Sequence, residues 1–198
     1  MSCFVVIGWS RAASAQTSPD PSKVSITSIS YGGTGCPQGT VASSLSTDRK
    51  SLTLIFDSYI ASSGPGVAST ESRKNCQLNI NLKIPNTFNY AVSTVDFKGY
   101  VQLPAQKTAT HRFTTYFQGG TKQAFASVLL AGPASKDYLS RATIATNAMT
   151  WMPCGSVVPM TINPQVQLAG TSTHAAQITK DSIDGKVKMI LGLQYRPC

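Results

Sequence analysis

The chain has 198 residues, 13% of them charged, and 17 Lys and Arg against 8 Asp and Glu give a formal charge of +9. Glu71 is the only glutamate, which argues against long amphipathic helices, whose exposed faces draw on Glu and Lys. The cations are scattered, densest at Arg49-Lys50 and Arg73-Lys74, so no basic run interleaved with aromatics points to nucleic acid.

Cys3 to Trp9 is a short apolar stretch, and Ala13-Ser14-Ala15 is an A-x-A cleavage pattern. Residues 1–15 therefore read as a signal peptide. The apolar run is short and no Lys or Arg precedes it, the pattern of a truncated signal. Export follows, with a mature chain from Gln16 and a secreted, extracellular or cell-surface location. The alternative is that the segment stays on as an apolar strand. No other stretch approaches the roughly 20 apolar residues of a membrane span. Residues 16–22 are polar, contain Pro19 and Pro21, and read as a flexible leader.

From residue 23 onward strand signals come at short intervals. Leu52, Leu54 and Phe56 alternate with Thr53, Ile55 and Asp57. Leu78, Ile80, Leu82 and Ile84 alternate with Asn79, Asn81 and Lys83 before Pro85. Val187, Met189, Leu191 and Leu193 alternate in the same way, and Asp184-Gly185 just before them signals a tight turn. A period of two puts the aliphatics on one face of a strand. Weaker strands are drawn at residues 24–31, 40–46, 90–97, 112–118, 124–130, 139–145, 148–152 and 160–168. Gly and Pro clusters separate them. About ten short strands in residues 23–198 suggest one all-β domain, a two-sheet antiparallel sandwich of Ig-like or jelly-roll type.

Loss of the signal removes Cys3 and leaves Cys36, Cys76, Cys154 and Cys198. An even count in an exported chain reads as two disulfides. Three pairings are open. Cys36–Cys76 and Cys154–Cys198 are favoured because each brackets one half of the chain. Each would close a loop of about 40 residues, worth roughly 4 kcal/mol in the chain-entropy model. Zinc is disfavoured: there is no C-x-x-C, and His111 and His174 lie far from any Cys. No metal or other cofactor is expected.

Several stretches carry a family resemblance in their order and spacing. They are residues 31–37 (Tyr-Gly-Gly-Thr-Gly-Cys-Pro), 56–59 (Phe-Asp-Ser-Tyr), 64–66 (Gly-Pro-Gly), 72–78 (Ser-Arg-Lys-Asn-Cys-Gln-Leu), 151–155 (Trp-Met-Pro-Cys-Gly) and 184–186 (Asp-Gly-Lys). Over residues 24–198 the chain resembles a family of small secreted proteins, found mainly in fungi and other microbes, known as domain of unknown function 4360. The resemblance implies export, one domain and a four-cysteine disulfide framework. It implies no activity and no catalytic residues.

The motifs with chemistry in them are few. Gly32-Gly33-x-Gly35 lacks the Gly-Lys-Ser/Thr of a phosphate loop and runs into Cys36-Pro37, so a turn beside a disulfide is expected. No G-x-S-x-G surrounds a serine, and His111 and His174 both read as exposed polar residues. Asp57 and Asp96 are expected at strand ends, Asp57 pairing with Arg73 or Lys74. Asp181 and Asp184 are three residues apart, but Asp184 belongs to its turn. Tyr59, Tyr90, Tyr100, Tyr116, Tyr138 and Tyr195 with Trp151 are the material for a sugar-stacking platform. Tyr59, Tyr100, Tyr116, Arg73 and Lys74 are the ligand-binding candidates, and Trp151 beside Pro153-Cys154 is expected in the core against a disulfide.

Three functions remain. The first is a non-enzymatic structural or matrix protein of the cell surface, self-associating into filaments by lending an N-terminal strand, residues 3–9 or 24–31, to a neighbour's sheet. The second is a binding module for anionic wall or matrix polysaccharide, from the charge and the tyrosines. The third is a small hydrolase or effector with an unrecognised site. The absence of catalytic motifs makes the expectation non-enzymatic.

Overall fold

The computed structural model describes residues 18–179 and 187–198. The expected signal peptide with Cys3, and the Asp181, Asp184 and Asp184-Gly185 features, lie outside the described residues. Along the described chain run thirteen strands: β1 (Ser25–Gly32), β2 (Val41–Leu45), β3 (Ser51–Phe56), β4 (Ala61–Ser63), β5 (Arg73–Asn75), β6 (Gln77–Lys83), β7 (Phe88–Leu103), β8 (Lys107–Phe117), β9 (Ala124–Ala131), β10 (Ala134–Thr143), β11 (Met160–Gly170), β12 (Ala176–Thr179) and β13 (Val187–Pro197). Three single 3-10 turns, Pro21–Lys23, Ser69–Ser72 and Thr146–Ala148, are the helical elements among the described residues.

The strands form two antiparallel sheets. The front sheet has the order β1-β6-β11-β8-β9, with β5 also paired to β11. The back sheet has the order β2-β3-β13-β7-β12-β4, with β10 also paired to β7. Alternation in the sequence becomes alternation in burial. Leu52, Leu54 and Phe56 of β3, Leu78, Ile80 and Leu82 of β6, and Val187, Met189 and Leu191 of β13 all face the core. Each such side chain adds about 1.5–3 kcal/mol by leaving water. A strand slipped by one residue would turn its whole apolar set outward, which is why the register is definite.

Several expectations about strands needed correction: β8 and β10 begin about five residues earlier than drawn, and two others differ more. Residues 148–152 are not a strand. The 3-10 turn Thr146–Ala148 takes the amides of Ala148 and Met149 back to the Ala145 carbonyl, and only Met152 reaches a strand, donating to the Tyr90 carbonyl. The strand drawn at 90–97 runs from Phe88 to Leu103, because its neighbours change along its length. β13 pairs its first part, β12 pairs residues 100–102, and β10 lies along residues 94–103. Asp96 therefore sits in mid-strand, not at an end. Strands β4, β5 and β12, three or four residues each, are too short to show alternation and were not anticipated.

The disulfides are Cys36–Cys76 and Cys154–Cys198, with Cα separations of 5.6 and 5.8 Å. The first is buried in the core and the second lies at the surface. The Gly-rich segment after β1 packs against the buried bridge. Gly33 has φ +147° and its backbone abuts the Asn75 carbonyl, where no Cβ fits. Gly35 donates to that carbonyl at 2.9 Å, and the Tyr59 ring lies against its Cα. The segment is a turn beside a disulfide, as its sequence implied.

Candidate functional site

The six strands of the front sheet contain no Asp or Glu, but they hold Arg73, Lys74, Lys83, Lys107 and Arg112. Their inward positions are mostly aliphatic or aromatic, with Lys74 and Thr115 as exceptions, and their outward positions are mainly amides and hydroxyls interspersed with Arg73, Lys83 and Arg112. Register aligns these outward residues in rows. Ser30, Asn79, Thr161 and Tyr116 form one row across β1, β6, β11 and β8. Asn163, Thr114 and Phe125 form the next. Asn75, Gln165, Arg112 and Ser127 follow, then Arg73, Gln167, Thr110 and Leu129. From the Tyr116 row to the Arg73 row is six residues along β11, roughly 20 Å at the usual strand rise.

Neighbouring side chains on this face hold each other in place. Thr161 Oγ1 donates to Asn79 Oδ1 at 2.7 Å, and Asn81 Nδ2 to Ser28 Oγ at 2.8 Å. Arg73 donates to Gln165 Oε1 at 2.8 Å. An amide has two donors and two acceptor lone pairs, so each bond orients a group that still has capacity left. Phe125 is 77% exposed and adds an apolar ring beside Thr114. A solvated strand face ordinarily carries mixed charge. The back sheet does: Asp96 and Arg141 form a two-pronged ion pair across β7 and β10, Lys98 and Asp137 are on those same two strands, and Lys188 is on the neighbouring β13. The acids are partitioned off the front sheet.

The ligand-binding candidates from the sequence divide. Tyr116 and Arg73 share the front face, near its opposite ends. Tyr100 is on the back sheet, its hydroxyl 2.8 Å from Ser135 Oγ. Lys74 is half-buried and bonds Glu71 at 2.8 Å. Tyr59 is 1% exposed, packed on Phe56 with ring centroids 5.2 Å apart; burial pushes its hydroxyl pKa well up, and it cannot meet a ligand. Tyr90, Tyr138 and Tyr195 are buried as well. Trp151 is not in the core. It is half-buried at one end of the sandwich, with the Arg196 guanidinium 4.0 Å from its ring centroid.

His111 is also a correction. It is 1% exposed, stacked on Phe97 with centroids 4.6 Å apart, and Nε2 is 2.7 Å from the Tyr138 hydroxyl. Burial pushes its pKa down to about 3, so it is neutral at physiological pH. The missed signal was phase: His111 falls in step with Ala109, Phe113 and Phe117, the inward side of β8. His174 is exposed and its Nδ1 lies 3.3 Å from Ser172 Oγ. Among the described residues no three His, Cys, Asp or Glu are grouped to hold a metal, and no helix is long and apolar enough to cross a membrane.

A family model described as domain of unknown function (DUF4360) matches residues 22–198. An uncharacterised secreted protein of Arthroderma benhamiae is 44% identical over 181 residues, covering 91% of this chain and 74% of that protein. The chain is a secreted protein. One similar solved structure is described as the basis for promiscuous specificity in carbohydrate-binding modules of the β-sandwich superfamily. It shows 12% identity and a TM-score of 0.31, over 84% of this chain and 56% of that one. Another, TmCBM61 in complex with β-1,4-galactotriose, shows 8% identity and a TM-score of 0.24 over 87% of this chain and 90% of that one. At these TM-scores the likeness carries no argument about a ligand.

Proposed function

The chain belongs to the DUF4360 family, whose description assigns no activity, and from that premise we propose that it is a non-enzymatic binding protein for acidic cell-wall or matrix polysaccharide. The observation behind this reading is the front face itself. Sugar hydroxyls are bound by oriented amides and hydroxyls, of which the rows from Tyr116 to Arg73 hold many. Acidic groups on the polymer are attracted to strands that hold Arg73, Lys83, Lys107 and Arg112 and no carboxylate, Lys74 being paired to Glu71. Tyr116 and Phe125 offer ring surface at one end of the face.

The test is retention of the secreted protein on immobilised polygalacturonate and on an uncharged glucan. Retention on polygalacturonate is expected at low salt and is expected to fall as salt shortens the Debye length from about 10 Å at 0.1 M to about 3 Å at 1 M. Arg73→Gln with Arg112→Gln is expected to move elution to lower salt. Equal retention on both polymers, or retention indifferent to salt, would overturn the reading. The filament reading has less behind it: β1 is paired with β6 from Ser25↔Lys83 to Gly32↔Gln77 in its own sheet, and residues 3–9 are outside the described residues.

A further inference from the structure

Next to the Tyr116 end of the face, a cleft of about 350 Å³ opens between the β8–β9 turn, the loop holding Trp151, and the end of β13. That volume is within the range of small-ligand sites, about 300–1,000 Å³. Lys122 lines one side and Arg196 another, and no carboxylate is among the lining residues. Phe117, Trp151 and Pro153 supply apolar surface. Thr150 also lines the cleft; it is 7% exposed, and its hydroxyl has no hydrogen-bond partner among the described residues.

The cleft is held in shape. The Cys154–Cys198 bridge joins the Trp151 loop to the chain end two residues past Arg196, tying two walls together. Arg196 lies on the Trp151 ring, and its Nε donates to Asn89 Oδ1 at 3.2 Å. These contacts fix the plane of the guanidinium, and its terminal amino groups are the pair that engages a carboxylate side by side.

We infer that this cleft binds one uronic-acid residue of an acidic glycan. The sugar carboxylate meets Arg196 and Lys122, and the ring lies against the apolar surface. The inference rests on the polysaccharide reading above for the source of the ligand, but it assigns a different site and a single sugar. A neutral hexose offers nothing to the two cations, and a bare inorganic anion offers nothing to the apolar surface.

The experiment is isothermal titration of the secreted protein with D-galacturonate, D-galactose and sodium sulfate at low salt. Galacturonate is expected to bind at least about tenfold more tightly than galactose or sulfate, since charge-assisted hydrogen bonds separate them. Arg196→Gln is expected to weaken galacturonate about tenfold or more. Lys122→Gln, at an exposed turn position, tests the cleft without touching the Trp151 stack and is expected to weaken it in the same direction. Lys136→Gln, exposed on β10 of the back sheet, is expected to leave galacturonate binding unchanged. Equal binding of galactose or of sulfate, or no effect of both cation variants, would overturn the inference. Galacturonate binding without retention on any polymer would remove the polysaccharide reading alone. Retention on polygalacturonate without galacturonate binding would remove the cleft alone.

Discussion

Lowering the pH from 7 to 4.5 is expected to cost this protein roughly 2–3 kcal/mol of stability through His111. In the folded chain burial holds the imidazole pKa down to about 3, while in the unfolded chain it is about 6.5. Between those values the unfolded state binds more protons, so stability falls as the pH falls, by about 1.4 kcal/mol per unit. The contribution is fully present above about pH 6.5 and is lost progressively toward pH 3. Desolvation dominates: Nδ1 has no partner among the described residues, Nε2 meets only the neutral Tyr138 hydroxyl, and the ring contacts are with Phe97 and Tyr138. Most carboxylates titrate below this window, near pH 4. Hydrogen bonds from Ser22 and Ser46 hold the Asp20 and Asp48 carboxyls lower still. The assay is urea unfolding at a series of pH values between 7 and 4.5. The control is His111→Phe with Tyr138→Phe, which removes both members of the buried polar pair and leaves no orphaned hydroxyl. The double variant is expected to fold and to lose most of the pH dependence in this window. An equal slope in the variant, or a flat wild-type profile, would refute the assignment.

Replacing Cys154 and Cys198 by Ser opens a loop with a sequence separation of 44; roughly 4 kcal/mol of stability should be lost in chemical denaturation, and galacturonate binding should weaken with it. Gly33→Ala is expected to destabilise by about 2 kcal/mol or more, because its φ is +147° and the new Cβ meets the Asn75 carbonyl; a melting temperature within a degree of wild type would contradict this. Arg141→Ala leaves the carboxylate of Asp96, 7% exposed, without its two-pronged partner. The expected cost is roughly 1–2 kcal/mol in urea unfolding.

The all-β class and both disulfides were legible in the sequence, for local reasons. Period-two alternation in Leu52 to Phe56, Leu78 to Ile84 and Val187 to Leu193 is a property of consecutive residues, and burial of one strand face enforces it. Cysteine pairing was legible because four cysteines in two brackets left few choices. Strand ends were less so. Placing the start of β8 at Arg112 instead of Lys107 put His111 outside the alternation and made a core residue look like surface. Ending β7 at Phe97 made mid-strand Asp96 look like a strand terminus. Trp151 was expected in the core against a disulfide, but its loop lies at the rim, where it is half-buried and Arg196 covers it.

What the sequence determined alone is which residues alternate, which cysteines are near enough to close modest loops, and that the chain is poor in acid. It also specified that β1, β5, β6, β8, β9 and β11 are each free of carboxylates. Only the tertiary structure decided that these six lie in one sheet, because the chain crosses between sheets several times and strand pairing is a long-range choice. The same holds for Lys122, Trp151 and Arg196. They come from a turn, a loop and a strand end far apart in the chain, and burial of the two sheets against each other is what brings them around one cleft.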